Sequence, residues 1–255
     1  MIDIHNHILY GVDDGSQSQE ESLNMLITAQ SMGFTGVILT PHYMMYRGFT
    51  SNVENNKKIF EELKEAATQA EIKIELYLGN EIFYEYAVAN AIDSGAFKTL
   101  GSTDYYLVET KRKGVSVIAL QNFMKSLQNG GKQVIFAHPE RYDFIQEDPN
   151  RLFEFIDKGI LVQGNYLSLV DYYGQAAQNT LKIMLEHGMV SFMGSDAHQS
   201  EGYELYPRAK EVGSEIIGET AWMEIMKNNP RKLIDGKPIE VTPKKYKPKN
   251  FKKFF

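Results

Sequence analysis

Five of the six histidines in this 255-residue chain follow directly on short apolar runs. His5 and His7 come after Ile2–Ile4, His42 closes Thr40-Pro41-His42, His138 sits in Ala137-His138-Pro139, and His198 ends Ser195-Asp196-Ala197-His198. Acids hold the equivalent places after two more runs: Glu81 in Gly79-Asn80-Glu81 and Glu109 in Leu107-Val108-Glu109. His5/His7 and Asp196/His198 are i, i+2 pairs, and alternate residues of an extended segment point the same way. One such pair is a weak signal; two on one rim, with carboxylates between them, indicate a metal site. Imidazole and carboxylate without sulfur suit Zn²⁺, Mn²⁺ or Fe²⁺. With one acid from the Asp13-Asp14 pair, the rim offers nine candidate ligands. A catalytic ion needs about three or four protein ligands, so nine imply two or three ions and a bridging carboxylate. Without cations the facing carboxylates would repel one another.

A polynuclear site of this kind hydrolyses esters or amides by activating water and polarising the substrate oxygen. Arg141, three residues after His138, favours phosphate, because a guanidinium holds phosphoryl oxygens bidentately. The competing role for Arg141 is a structural ion pair with Glu140. Zero cysteine removes every mechanism that runs through a phosphocysteine. His187 ends a helical stretch before Gly188, where a helix C-terminus explains it without function. Most of the 15 Tyr and 14 Phe read as core. Tyr43, Tyr46 and Phe49 cluster after His42, where they could flank an aromatic substrate.

The elements that must position these residues alternate along the chain. Strands are expected at Ile2–Ile4, Gly36–Leu39, Ile74–Leu78, Tyr105–Val108, Gln133–Phe136, Ile160–Val162 and Val190–Met193. Helical periodicity fills Glu20–Met32, Val53–Ala70, Val117–Asn129, Pro149–Lys158 and Gln175–His187, with Gly33, Gly159 and Gly188 as C-terminal stops. Such alternation means a parallel sheet with helical crossovers. A closed (β/α) barrel and an open doubly wound sheet both fit; the absence of phosphate-binding glycine motifs weighs against nucleotide-binding open sheets. In barrels the active site is built at the C-terminal strand ends, and six of the seven runs send a His, Asp or Glu there.

Composition agrees with a soluble, cytoplasmic domain: no apolar run is long enough to span a bilayer and no signal peptide precedes Met1. Residues 241–255 hold six lysines and no acid, so the net charge of −6 leaves −12 on residues 1–240. An acidic body is a poor nucleic-acid binder. We therefore expect a domain over 1–235 and a basic, mobile Pro/Lys-rich tail over 236–255, able to make weak contact with an anionic membrane surface.

These motifs resemble the polymerase-and-histidinol-phosphatase (PHP) superfamily, and within it the manganese-dependent tyrosine phosphatases of bacterial capsular and exopolysaccharide operons. The stretches that carry the likeness are Met1-Ile-Asp-Ile-His-Asn-His7, Val12-Asp-Asp-Gly15, Thr40-Pro-His42, Gly79-Asn-Glu-Ile82, Leu107-Val-Glu109, Ala137-His-Pro-Glu-Arg141, Ser195-Asp-Ala-His198 and Asn229-Pro-Arg-Lys232. The resemblance implies a distorted seven-stranded (β/α) barrel with three metals, normally Mn²⁺. It selects Asp14 over Asp13. It implies one ion on His5, His7, Glu81 and Asp196, a second on Glu81, Glu109 and His138, and a third on Asp14, His42 and His198. It also implies the substrate, phosphotyrosines in the tail of a membrane-associated bacterial tyrosine kinase, which would draw the protein to the inner membrane face. A monomer or small homo-oligomer is expected. Where the family places a second phosphate-binding arginine this chain has Tyr203; Arg208, Arg47 and the Lys111–Lys113 run are the candidate replacements, with Tyr46 beside the substrate ring. The alternatives are a PHP phosphatase of a small molecule such as histidinol phosphate, a metal-dependent amidohydrolase, and an inert binding protein.

Overall fold

The computed structural model describes residues 1–91 and 94–247. Among them are nine short strands in two all-parallel sheets. One sheet runs β1 (Ile2–Asp3), β2 (Gly36–Leu39), β4 (Glu75–Leu78). The other has the order β3 (His42–Tyr43), β5 (Glu81–Phe83), β6 (Tyr105–Glu109), β7 (Gln133–Ala137), β8 (Leu161–Asn165), β9 (Phe192–Gly194). The sequence reading gave seven strands; the difference lies at two breaks. At the first, Pro41 has no N–H for the ladder, and Thr40 Oγ1 instead accepts from Asn6 N at 3.0 Å. At the second, a Cβ on Gly79 would lie 2.9 Å from Leu100 Cα, while the Asn80 amide donates to Pro41 O and accepts from Lys98 N. Each break lets one chain leave the first sheet and pair in the second. Beyond β1 and β9, edge strands of the two sheets, the chains meet: Asn6 bridges Ala197, Asp196 N donates to His5 O at 2.8 Å and His7 N to Ala197 O at 2.9 Å.

Helices cover the sheets. Ser18, Asn52 and Ser116 cap Gln19–Ser31, Val53–Gln69 and Val117–Asn129, each side chain accepting from a first-turn N–H. The helix expected over Pro149–Lys158 is a 3-10 turn, Pro149–Leu152, followed by one α-turn, Phe153–Ile156. The strand expected at Val190–Met193 starts later, at Phe192; just before it Ser191 N donates to Val162 O, while Val162 N donates to the Ser191 side chain instead of to a ladder carbonyl. From Glu201 to Ile234 a series of short helices packs on β1 and β9, with Trp222 fully buried. Residues 237–247 form no helix or strand, yet Lys244 N donates to His187 O, Tyr246 N to Asn150 Oδ1, and the Tyr246 ring meets His187 edge-on. The rest of the expected tail, 248–255, lies outside the described residues.

Candidate functional site

All nine expected ligands converge where the strands end. At the centre His5 Nε2 lies 3.1 Å from Glu81 Oε2 and 3.5 Å from Asp196 Oδ1. His7 Nε2 lies 3.4 and 3.2 Å from the same two oxygens. Glu81 then reaches outward: its Oε1 is 3.0 Å from His138 Nε2, and its Oε2 is 3.3 Å from His42 Nε2. Glu109 closes that flank, 3.2 Å from His42 Nε2 and 3.7 Å from His138 Nε2. On the other side Asp14 Oδ1 stands 3.5 Å from His42 Nδ1 and 3.6 Å from His198 Nε2. His42 thus faces both flanks, rather than the Asp14 side alone.

The donor set fits divalent cations on a physical criterion. His5 Nε2, His7 Nε2 and Glu109 Oε1 are buried and have no hydrogen-bond partner, although opposite charges lie within 3.5 Å of each. Atoms this close but misaligned for hydrogen bonding point at shared positions between them. The far sides of the rings are held: His5 Nδ1 donates to Gln163 Oε1 at 2.9 Å, His7 Nδ1 to Asp13 Oδ2 at 2.8 Å, and His198 Nδ1 to Asp196 O at 2.9 Å. Holding Nδ1–H leaves the Nε2 lone pair aimed into the cluster, as in metal-binding imidazoles. Asp13 therefore orients rings while Asp14 faces the cavity. Asp13 also accepts from His42 N and Gly15 N, and Gly15 sits so close that a Cβ would lie 2.2 Å from His7 O.

The field inside the cluster is strong. Burial and the His7 charge press the His42 imidazole down, but Glu81, Asp13 and Glu109 outweigh them and raise its pKa to about 10. The His198 contact, against some desolvation, draws Asp14 down to about 2. Asp196 and Glu81 are lowered despite full burial, chiefly by His5. Without metal, the raised His5, His7 and His42 hold protons that offset part of the carboxylate charge. Two of the candidate ligands also have left-handed backbones, His138 at φ 33° and Asp196 at φ 51°. Such conformations cost non-glycine residues roughly 1–3 kcal/mol and cluster at functional sites.

Arg141 lies on the turn after β7, its side chain only 9% exposed. Its guanidinium donates to Asp196 Oδ2 and lies 4.0 Å over the Tyr173 ring. Glu140, the partner weighed from sequence, is instead buried and accepts from Asn165 N and Ser168 Oγ. Asn165 Nδ2 and Tyr173 OH also reach Asp196 Oδ2, at 3.2 and 3.4 Å. Arg47 stands at the rim, 2.7 Å from Asp14 Oδ2, and Tyr46, 65% exposed, lies 5.1 Å from the Phe83 ring. Arg47, Tyr46, Lys111, Arg112 and Arg141 line a cavity of ≈ 610 Å³ together with the exposed edge of the cluster.

Arg208 is not brought to the cluster. It is exposed on the helix Tyr206–Ile217 and is not among the residues lining that cavity. Tyr206, Ala209 and Gly213 turn inward on this helix, which leaves Arg208 facing away. Tyr43 is likewise core, buried against Phe97. His187 behaves as expected, its Nδ1 donating to Ile183 O. The sequence reading missed Asp3, fully buried, which accepts from Ser195 Oγ at 2.6 Å, Ser195 N at 3.0 Å and Tyr203 OH at 2.7 Å. Its signal was the same i, i+2 spacing that picked out His5 and His7. Gln163 and Asn165, polar alternates at the end of β8, were missed for want of charge.

A histidine–carboxylate cluster with an adjoining arginine, at the C-terminal ends of parallel strands, defines the class of metal-dependent α/β hydrolases. Within it, residues 1–235 match the model of the capsular polysaccharide synthesis family CpsB/CapC, and the chain belongs to that family. It is 30% identical to the tyrosine-protein phosphatase YwqE of Bacillus subtilis over 224 residues, 85% of this chain and 87% of YwqE. A solved structure from work on B. subtilis YwqE and Streptococcus pneumoniae CpsB, described as metal-dependent tyrosine phosphatases, superposes with TM-score 0.87 at 26% identity. It covers 97% of this chain and 100% of that one. The zinc-bound histidinol phosphate phosphatase of Lactococcus lactis shares the fold at TM-score 0.57 and 16% identity, covering 83% of this chain and 93% of its own.

Proposed function

We propose that this protein is a metal-dependent phosphatase of phosphotyrosine on a partner protein. The observation that carries the reading is the nine-residue cluster opening into one cavity beside the buried guanidinium of Arg141; family membership supplies the substrate class. The nine strands follow seven courses once each broken strand is counted with its continuation, which supports the distorted seven-stranded barrel. His5, His7, Glu81 and Asp196 would hold one ion, Glu81, Glu109 and His138 a second, and Asp14, His42 and His198 a third, with Mn²⁺ the ion we favour. Divalent ions bound there supply Lewis acidity and lower the pKa of coordinated water towards ~7.

The chain's own residues do the rest. Arg141 binds phosphoryl oxygens; held over the Tyr173 ring and by Asp196, it needs little reorganisation to receive them. Asn165 and Tyr173 keep Asp196 Oδ2 occupied, which leaves Oδ1 towards His5 and His7. Tyr46 and Phe83 flank the cavity mouth, where the substrate ring would rest. Phenolate leaves readily, so no strong general acid is needed. The partner we favour is the tyrosine-rich tail of a kinase acting in polysaccharide export, met at the inner face of the membrane. Arg47 and Lys111, rather than Arg208, are the candidates for a second contact to the phosphate.

The test is phosphate release by metal-stripped, Mn²⁺-reloaded protein from a phosphotyrosine peptide and from histidinol phosphate. Preference for the peptide, abolished by chelator, is the expected result. Preference for histidinol phosphate would keep the metals and overturn the substrate.

A further inference from the structure

The catalytic cavity does not end at its mouth. Through Tyr46, Phe83, Thr110 and Lys111 it shares a wall with a second cavity of ≈ 560 Å³, which is lined in addition by Tyr84 and Tyr86. Val115 and Ser116 are common in turn to that cavity and to a third of ≈ 350 Å³, bordered by Ile118 and Phe144 and by the charged Asp143, Glu147 and Arg151. The three form one track along the loop after β6. Cavities beside Lys58 and beside Lys98 share no residue with the catalytic one. Exposed apolar side chains gather on the same face. Of the six large ones among the described residues, Tyr172 lines the catalytic cavity, while Tyr46, Tyr86 and Ile118 border the track, the last two 83% and 73% exposed. The wall is also fixed in place: Glu85 Oε1 accepts from Met45 N at 2.6 Å and from Tyr46 N at 3.2 Å.

We propose that this track is where the substrate polypeptide lies as it leaves the catalytic cavity, with the Tyr46–Phe83–Tyr86 pocket taking a large apolar side chain near the phosphotyrosine. The inference rests on the phosphotyrosine reading above. A free small molecule would have no use for an aromatic pocket and an adjoining track outside the phosphate site, whereas a protein segment must continue past the reacting residue. Aromatic walls favour an apolar side chain over a charged one, and burying it is the contribution a surface pocket of this size can make.

The experiment uses full-length, Mn²⁺-loaded protein and a set of phosphotyrosine peptides of Gly, Ser and Asp. A single Leu is placed in turn at each of the three positions on either side of the phosphotyrosine, and free O-phosphotyrosine serves as reference. One Leu position is expected to raise kcat/KM about 10-fold over the Ser parent, through KM; tenfold corresponds to about 1.4 kcal/mol. Tyr86→Ala should remove most of that gain, read as the ratio of peptide to free phosphotyrosine, and Ile27→Ala, at an exposed apolar site elsewhere, should leave the ratio alone. Binding of the same peptides to metal-stripped protein, followed by fluorescence anisotropy, reads the track independently of turnover. Equal values for every Leu position, or a gain that survives Tyr86→Ala, overturns the proposal. If no peptide is hydrolysed but the binding preference persists, the track stands and the phosphotyrosine hydrolysis fails.

Discussion

Replacing Tyr203 by Phe removes one oxygen from a fully buried ring and leaves its shape intact. The ring keeps its edge contact with Phe34 at 5.4 Å, so no cavity opens. The loss is the hydroxyl that donates to Asp3 Oδ2 at 2.7 Å. A hydrogen bond to a charged acceptor contributes roughly 1.5–3 kcal/mol. Asp3 retains donors from Ser195 Oγ, Ser195 N, Asn6 Nδ2 and His5 N, which places the expected cost near the lower end, about 1.5–2 kcal/mol. For a chain of this length that lowers Tm by about 3–8 °C. Asp3 also ties the His5 strand end to the loop that carries Asp196, so metal affinity should fall on the order of 10-fold, as when outer partners of ligands are removed. The internal control is Tyr166→Phe, which deletes a hydroxyl bonded to the neutral Gly202 carbonyl at 2.9 Å and should cost only about 1 kcal/mol. Thermal melts and a competitive Mn²⁺ titration give the answer. A Tyr203→Phe protein that melts no lower than Tyr166→Phe and binds Mn²⁺ as tightly as the unaltered chain would refute the reasoning.

In metal-stripped protein His42 is raised from 6.5 to about 10. The stability it contributes is complete below pH 6.5 and is lost as pH rises towards 10; Asp14, lowered from 3.8 to about 2, contributes above 3.8 and loses its share as pH falls towards 2. Tm of the stripped protein should decline from pH 6.5 to 10, and Mn²⁺ should abolish that decline; a flat profile for the stripped form counts against the cluster's charge pattern. Arg141→Ala should lower kcat/KM for phosphotyrosine about 10²–10³-fold, as loss of one transition-state donor does; a change under threefold would remove Arg141 from the mechanism. Arg208→Ala should alter kcat/KM less than twofold, and a larger effect would place Arg208 back at the substrate. Asp196→Gly and Asp196→Ala both lose the carboxylate, yet only the glycine relieves the left-handed backbone; it should melt higher by about 1 kcal/mol or 2–4 °C, and equal melts would argue against strain.

How much the sequence disclosed varied with the kind of signal. Strands that carry ligands were legible because an apolar run ends in a charged residue, and β6 and β7 begin where expected, at Tyr105 and Gln133. The clustering of His5 with Asp196, 191 positions apart, followed from the barrel rule and the i, i+2 spacing alone. The two strand breaks were not legible, since Thr40-Pro41 and Gly79-Asn80 act through tertiary contacts with Asn6 and Leu100. The placing of Arg208 was illegible for a similar reason. Distance along the chain places it near His198, but which face of the helix looks inward is decided by Tyr206 and Ala209 packing on the core. Neutral groups such as Gln163 and Asn165 were silent because an amide at a strand end has no charge to mark it.

The breaks and the strained residues have a common cause in the cluster. Regular parallel strands would send His42 and Glu81 upward along the sheet that holds β1, on the courses of β2 and β4. By leaving that sheet at Pro41 and Gly79, the two chains enter the second sheet, where His42 pairs in register with Glu81 and Glu81 with Leu107. Glu81 thereby comes within 3.5 Å of His5, His7, His42 and His138 at once. Elsewhere in that sheet the same end is reached by His138 and Asp196, whose left-handed backbones turn the chain out of the strand direction at the ends of β7 and β9. Each distortion costs local stability, and hydrogen bonds at the same places help offset it: the ladder bond from His138 N to Gln163 O at 2.7 Å is kept, and Asp196 N to His5 O at 2.8 Å and Asn80 to Pro41 and Lys98 are added. Both strand breaks and the left-handed turns at His138 and Asp196 therefore lie where four carboxylates and five imidazoles must meet, and they follow from the need to aim those side chains at shared positions.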